Sequence, residues 1–195
     1  MPKSNEAPVG LFFEVVPNPG HSNHYFSYVE KLEPELEKHD GLIWLNRYRA
    51  QFDDYSLLSH QLWDSRKSLE NWRQNKQHRL AQKAGIEKHF ENYRIRIGQR
   101  LASWQAGLVT NANFELTSKS DALLLSIQSS KAISNTAFNK HAFLEGAYRG
   151  LSASDQFITL VTPNDLSSVL ALTSSISTDS IDKIELFLIS RDYSM

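Results

Sequence analysis

Histidine is the side chain whose ordinary pKa lets it take up a proton near neutral pH. Two of the seven in this chain lie beside tryptophans in LLSHQLWDSRKSLENWRQNKQH, residues 57–78. His60 alternates with Leu58 and Leu62, so it points wherever those leucines point. His78 follows Trp72 by six residues, nearly two helical turns, which puts both on roughly one helix face. Either histidine could act as a general base. Either could instead be structural, His60 as a hydrogen-bonded core group and His78 as a surface or capping residue.

The flat rings nearby carry the same two readings. Trp63 and Trp72 could stack against an aromatic ligand, as could Trp44 and Tyr48, which share one side of a strand-like run. All four could also fill a core between helix and sheet. Arg94 shares a strand side with Arg96 and is a candidate for holding an anionic or phenolate ligand, the alternative being a solvated basic edge. His21 and His24 have the i, i+3 spacing of a metal pair, but no carboxylate cluster accompanies them and no metal site is assigned. The chain has no cysteine, which removes disulfides, thiolate metal sites and cysteine nucleophiles together. It also lacks the glycine-rich phosphate loops and the G-x-S-x-G turn of common hydrolases.

Local periodicity assigns the elements that must position these groups. VGLFFEVV (9–16) reads as a buried strand closed by PNPG. Tyr25, Tyr28, Val29, Leu32 and Leu36 recur at helical spacing, with Pro34 expected to kink or restart the helix. GLIWLNRYRAQF (41–52) and YSLLSHQLW (55–63) alternate and form a hairpin about Asp53-Asp54, with Leu42, Trp44, Tyr48 and Phe52 on one side. Asp64 is the expected N-cap of a helix carrying Leu69 and Trp72, which Gly85 ends. HFENYRIRIG (89–98) is the next strand. Strand, helix, strand, strand, helix, strand is the split βαβ order of a ferredoxin-like sandwich.

A second unit of the same order is expected after a connector at 99–120. Its elements are a strand at 122–128, a weak helix at 131–143, a short strand at 148–151, strands at 156–162 and 183–193, and a helix starting in 163–172. Asp64 then falls on Asp165 and Leu69 on Leu170. The reading is therefore α+β, with ferredoxin-like repeats at 8–98 and 121–195. Each repeat would have one bare sheet face, and the two faces together would make a barrel within one chain. A homodimer stays possible, but barrel closure would not need one.

Composition sets limits on partners. The chain has 195 residues, 41% hydrophobic and 22% charged, with a net charge of -1, so no overall field recruits nucleic acid or an anionic membrane. Residues 64–100 nevertheless hold ten Lys or Arg against four Asp or Glu. No apolar run approaches the roughly 20 residues of a membrane span, and the N-terminus lacks a signal core, so a cytoplasmic protein is expected.

GLIWLNRY, LLSHQLWD ending in Trp63-Asp64, SLENWRQNKQH with His78, and FENYRIRIG together give residues 9–98 a likeness to a known family. They resemble the antibiotic biosynthesis monooxygenase domain of the dimeric α/β barrel superfamily. The resemblance implies a pocket between sheet and helices. It also implies, in some relatives, oxidation of polycyclic phenols or quinols by molecular oxygen without metal or flavin. Other relatives degrade haem with a first-strand asparagine, a helix tryptophan and a histidine ten residues later. Here Gln82 stands ten residues after Trp72, and the first strand has no asparagine.

The expected function is thus a monooxygenase-like protein acting on a small aromatic or quinol-type molecule, with no cofactor assigned. His60 or His78 would be the base, Trp63, Trp72, Trp44 and Tyr48 the walls, and Arg94 a further ligand contact. The alternatives are a non-catalytic ligand-binding or structural barrel, and a haem-binding protein lacking the haem-degrading set.

Overall fold

Alternating apolar residues in both halves of the chain produce strands with two usable faces, and the fold buries both. A computed structural model describes residues 6–105, 108–110, 122–134, 136, 138, 140–175 and 178–195. The first half runs β1 (Val9–Pro17), α1 (Ser22–Glu37), β2 (Leu42–Ala50), β3 (Leu57–Trp63), α2 (Arg66–Gln74), α3 (Lys76–Ala84) and β4 (Phe90–Gln105). A short β5 (Leu108–Thr110) pairs with the end of β4. The second half runs β6 (Leu123–Ser129), β7 (Ala142–Gly150), β8 (Phe157–Pro163), α4 (Leu166–Ser175) and β9 (Ile181–Ser194).

Within the first half the antiparallel order is β4-β1-β3-β2, and within the second it is β9-β6-β8-β7. The two orders are equivalent, so the expected tandem ferredoxin-like architecture is present. The halves meet at two antiparallel seams. β2 pairs with β7 from Tyr48 opposite Gly150, and β4 pairs with β9 from Arg94 opposite Ser194 to Trp104 opposite Ile184. These seams close eight strands into a ring, and closure leaves those strands no free edge. The barrel closes within one chain.

Side-chain parity then separates the layers. Phe12, Tyr48, Leu58, Leu62, Ile158 and Phe187 fill the barrel interior. On the outside of the first half, Val9, Trp63 and Ile97 pack under Leu36, Leu69 and Trp72 of the helices. In the second half Leu125, Ile127 and Val161 pack under Val169 and Leu172 of α4. β3 is buried along its whole length because its even residues face the interior and its odd residues face the helices.

Several local expectations change. No α-helix runs among the described residues of 131–143, where only Thr136 is helical, in a 3-10 turn; β7 begins inside the span at Ala142, and fully buried Phe138 packs into the α4 core. β4 passes the expected boundary at 98 and ends at Gln105, while residues 106–107 and 111–120 of the expected connector lie outside the described residues. α1 continues through Pro34. A register shift between Leu42 and Trp44 turns Leu42 toward the helices while Trp44 and Tyr48 face the interior, and Phe52 lies beyond the strand, exposed.

Candidate active site

The helix expected after Asp64 is two helices, and the break between them builds the site. Ser65, not Asp64, caps α2, its Oγ accepting a hydrogen bond from the backbone N–H of Ser68. Asn75 ends α2 in a non-helical conformation, φ -55° and ψ 131°, and its Oδ1 accepts from the N–H of His78 at 3.0 Å to cap α3. One residue thus stops one helix and starts the next.

That turn folds His78 back onto Trp72. His78 Nδ1 lies 3.1 Å from the carbonyl oxygen of Trp72, and the two rings stack at 4.6 Å and 17°. A carbonyl can only accept, so Nδ1 carries the hydrogen and Nε2 keeps its lone pair. Burial pulls the pKa of His78 below its ordinary value, against a smaller opposing pull from the Trp72 hydrogen bond, so the ring is neutral at pH 7. A neutral imidazole with an oriented N–H and an open second nitrogen is the form a general base requires.

Behind Trp72 the same stack continues to Trp63 at 6.5 Å and 25°. Trp63 Nε1 donates to Gln61 Oε1 at 3.0 Å, and Gln61 Nε2 donates to Ser59 Oγ at 3.3 Å. The outward face of β3 therefore holds the tryptophan in place through its own side chains. His39 meets both indoles edge-on, at 5.0 Å and 6.1 Å.

Trp72 and His78 line a cavity of about 270 Å³ between the outer sheet face and the helices. Leu11, Phe13, Ile95 and Ile97 form its apolar floor, and Phe90 and Ile86 one wall. Phe13, Gln61, Trp72 and His78 also line an adjoining space of about 110 Å³ on the α1 side. The larger volume is just below the range of about 300–1,000 Å³ common for small-molecule sites, which suits a compact ligand. Arg66, Arg73, Arg191, Glu70 and Tyr193 complete its lining.

The structure divides the residues singled out from sequence. His78 and Trp72 are in the cavity wall, with Trp63 one layer behind. His60, Trp44 and Tyr48 lie on the opposite side of the sheet, in or against the barrel core. His60 is fully buried, stacked on Phe12 at 4.1 Å, with Nδ1 3.2 Å from the Leu11 carbonyl. Burial lowers its pKa to about 4. The same cause raises the Tyr48 pKa to about 12.

Arg94 is away from the cavity as well. It borders a polar depression with Glu14, Tyr148 and Asp192, and it is already paired, donating to Asp192 at 3.0 and 2.7 Å and to Glu145 at 2.7 Å. Arg96, expected beside it on a basic edge, is buried against Glu14 and Glu145. β4 is paired on both sides in the ring, so Arg96 is buried against carboxylates, and Arg94 meets carboxylates at a partly exposed position. His21 and His24 gather with His89: the Nδ1 atoms of His21 and His89 are 3.1 Å apart, and His24 stacks on His89 at 4.5 Å. Among the described residues no group of three metal-ligating side chains is arranged to hold an ion.

Residues 8–84 match the model of the antibiotic biosynthesis monooxygenase family. The first repeat is thus similar to this family over most of its length. The antibiotic biosynthesis monooxygenase match runs from β1 through α3, so it includes Trp72, Asn75 and His78 and stops short of β4. A curated relative, the jasmonate monooxygenase ABM of Pyricularia oryzae, is 27% identical over 197 residues, covering 94% of this chain and 91% of its own. Among solved structures, an aldoxime dehydratase in complex with butyraldoxime aligns with a TM-score of 0.59 at 8% identity, over 95% of this chain and 80% of its own. That likeness speaks to the fold alone. Both the family model and the curated relative are described as monooxygenases, so the chain is monooxygenase-like by similarity. No helix among the described residues is long and apolar enough to cross a membrane.

Sequence reasoning passed over Gln61, Gln82, Arg73 and Arg191. A signal existed for Arg73, which follows Trp72 on an otherwise recognised helix. None existed for Arg191, which reaches the site from the far end of the chain.

Proposed function

We propose that this protein oxidises a small, ring-bearing molecule with molecular oxygen in the cavity between the first sheet and α2–α3, with His78 as the general base. The observation that carries this reading is the pairing of His78 with Trp72: a neutral imidazole, oriented by a backbone carbonyl, on the wall of a mainly apolar cavity. The monooxygenase activity in the name of the Pyricularia oryzae relative supports it.

His78 Nε2 would accept a proton from an activated methylene or from the phenol conjugated to it. The resulting anion is electron-rich and can itself reduce oxygen. For a methylene converted to a carbonyl the balance closes with one O2: one oxygen atom stays on carbon, and the other leaves as water with the two original hydrogens. The stacked indole of Trp72 would hold a planar substrate, and the apolar floor would keep bulk water from protonating the anion.

The test is oxygen uptake with an anthrone or a naphthoquinol as substrate. His78→Gln should lower kcat by about 10²–10⁴-fold, while Trp72→Ala should raise KM. Uptake unchanged by loss of His78 would remove the assignment of the base. Binding without any uptake would favour a ligand-binding barrel.

A further inference from the structure

The cavity is apolar within and cationic at its opening. Arg66, Arg73 and Arg191 line it. The adjoining depression is bounded by Arg73, Arg79 and Arg191 together with Gln74, Gln82 and Glu70. Among the described residues that line either space there are four arginines about the opening and one carboxylate, Glu70, in a chain whose net charge is only -1. Two of the four have occupations: Arg66 donates to Ser190 Oγ at 2.7 Å, and Arg191 sits 3.5 Å from Glu70. Arg73 and Arg79 are exposed, and among the described residues neither forms an ion pair.

We infer that the ligand of this cavity carries a carboxylate, held at the opening by Arg73 and Arg79 with Arg191 beside them while its apolar body occupies the space against Trp72. This rests on the proposed ligand role of the cavity and adds the chemical class of ligand. Arginine forks match a carboxylate with two parallel hydrogen bonds, and one geometry serves both ends of such a molecule. Arg73 directly follows Trp72, so the group that binds the charge and the ring that binds the body lie next to each other on α2. Arg191 comes from β9, as does Tyr193, and the two tie the second repeat to a site otherwise built by the first. The alternative for such a cationic rim, solvated charge alone, makes no distinction between an acid and its ester.

The experiment titrates the full chain by calorimetry at low salt with 2-naphthylacetic acid and with its methyl ester, two probes that differ in the charge. The acid should bind about tenfold more tightly than the ester. In the double variant Arg73→Gln, Arg79→Gln that preference should disappear with ester affinity unchanged. Lys67→Gln, an exposed position outside both linings, should keep it. Equal binding of acid and ester, both weakened by Trp72→Ala, would overturn the carboxylate site and leave the cavity as the ligand site. A preference that survives the double variant would also overturn it. No binding of either probe, or binding that Trp72→Ala leaves unchanged, would overturn the reading of the cavity itself and this inference with it.

Discussion

His78 and Trp72 are joined twice, ring on ring at 4.6 Å and Nδ1 to carbonyl oxygen at 3.1 Å, although a helix break at Asn75 lies between them. The carbonyl fixes the tautomer and the indole fixes the plane of the imidazole. That pair sets the expected pH response of the activity.

Because burial lowers the pKa of His78, the base is unprotonated at pH 7 and loses activity only as pH falls through a value under the ordinary 6.5. A pH profile of kcat/KM should therefore be flat near neutrality, with an acidic limb below pH 6.5. In His78→Gln that limb should vanish along with most of the rate. A limb centred at or above 6.5 would point to a different group.

Asn75→Ala removes the cap of α3 and the hydrogen bond that Asn75 Nδ2 donates to Glu35 Oε2 at 2.7 Å. The expected cost is about 1 kcal/mol, or roughly 2–4 °C in Tm. Since the same turn delivers His78 to Trp72, kcat should fall more than stability alone explains. Thermal melts set beside turnover, both measured well below Tm, will show whether the two effects separate.

His60 should report in stability rather than turnover. Its folded pKa, about 4, is below the ordinary 6.5 of an unfolded histidine, so the unfolded chain takes the proton first. The stabilising contribution is complete above pH 6.5 and is lost as pH falls toward 4, by roughly 3 kcal/mol in all. Urea unfolding at pH 7.5 and pH 4.5 should show wild type losing ground to His60→Leu by most of that amount. A constant gap between the two proteins would contradict it.

Arg96 is buried between Glu14 and Glu145, and burial of Glu14 raises its pKa despite the neighbouring guanidinium. Arg96→Met would leave Glu14 without its paired cation, while Glu145 keeps Arg94, at a cost of about 3–5 kcal/mol. Adding Glu14→Leu should recover part of this loss, since an apolar pair of similar volume is tolerated better than a lone buried charge. Denaturation of the two variants side by side measures the recovery.

How much was legible in the sequence differs from element to element. The alternation of Leu58, His60 and Leu62 against Ser59, Gln61 and Trp63 put His60 and Trp63 on opposite faces of β3, and the structure keeps them there. Element order in both halves implied two equivalent sandwiches, and the strand orders agree. The break at Asn75 was not readable from period, because the apolar spacing of Leu69 and Trp72 continues smoothly into a segment whose direction depends on a side-chain cap. That no α-helix runs among the described residues of 131–143 has a related origin: the segment is weakly periodic, and Phe138 is buried against α4.

What the sequence determined by itself is what depends on neighbours in the chain: the strands, most of the helices, and the parity of each ring. Only the tertiary structure decided which face of β3 is the filled interior and which borders a cavity. It also decided that Arg94 and Arg96 meet carboxylates, and that Arg191 of β9 comes to Glu70 of α2. Those outcomes follow from the two seams, β2 with β7 and β4 with β9, which bring together residues about a hundred positions apart. Local periodicity carries no information over that distance; the burial of both sheet faces in one closed ring supplies it.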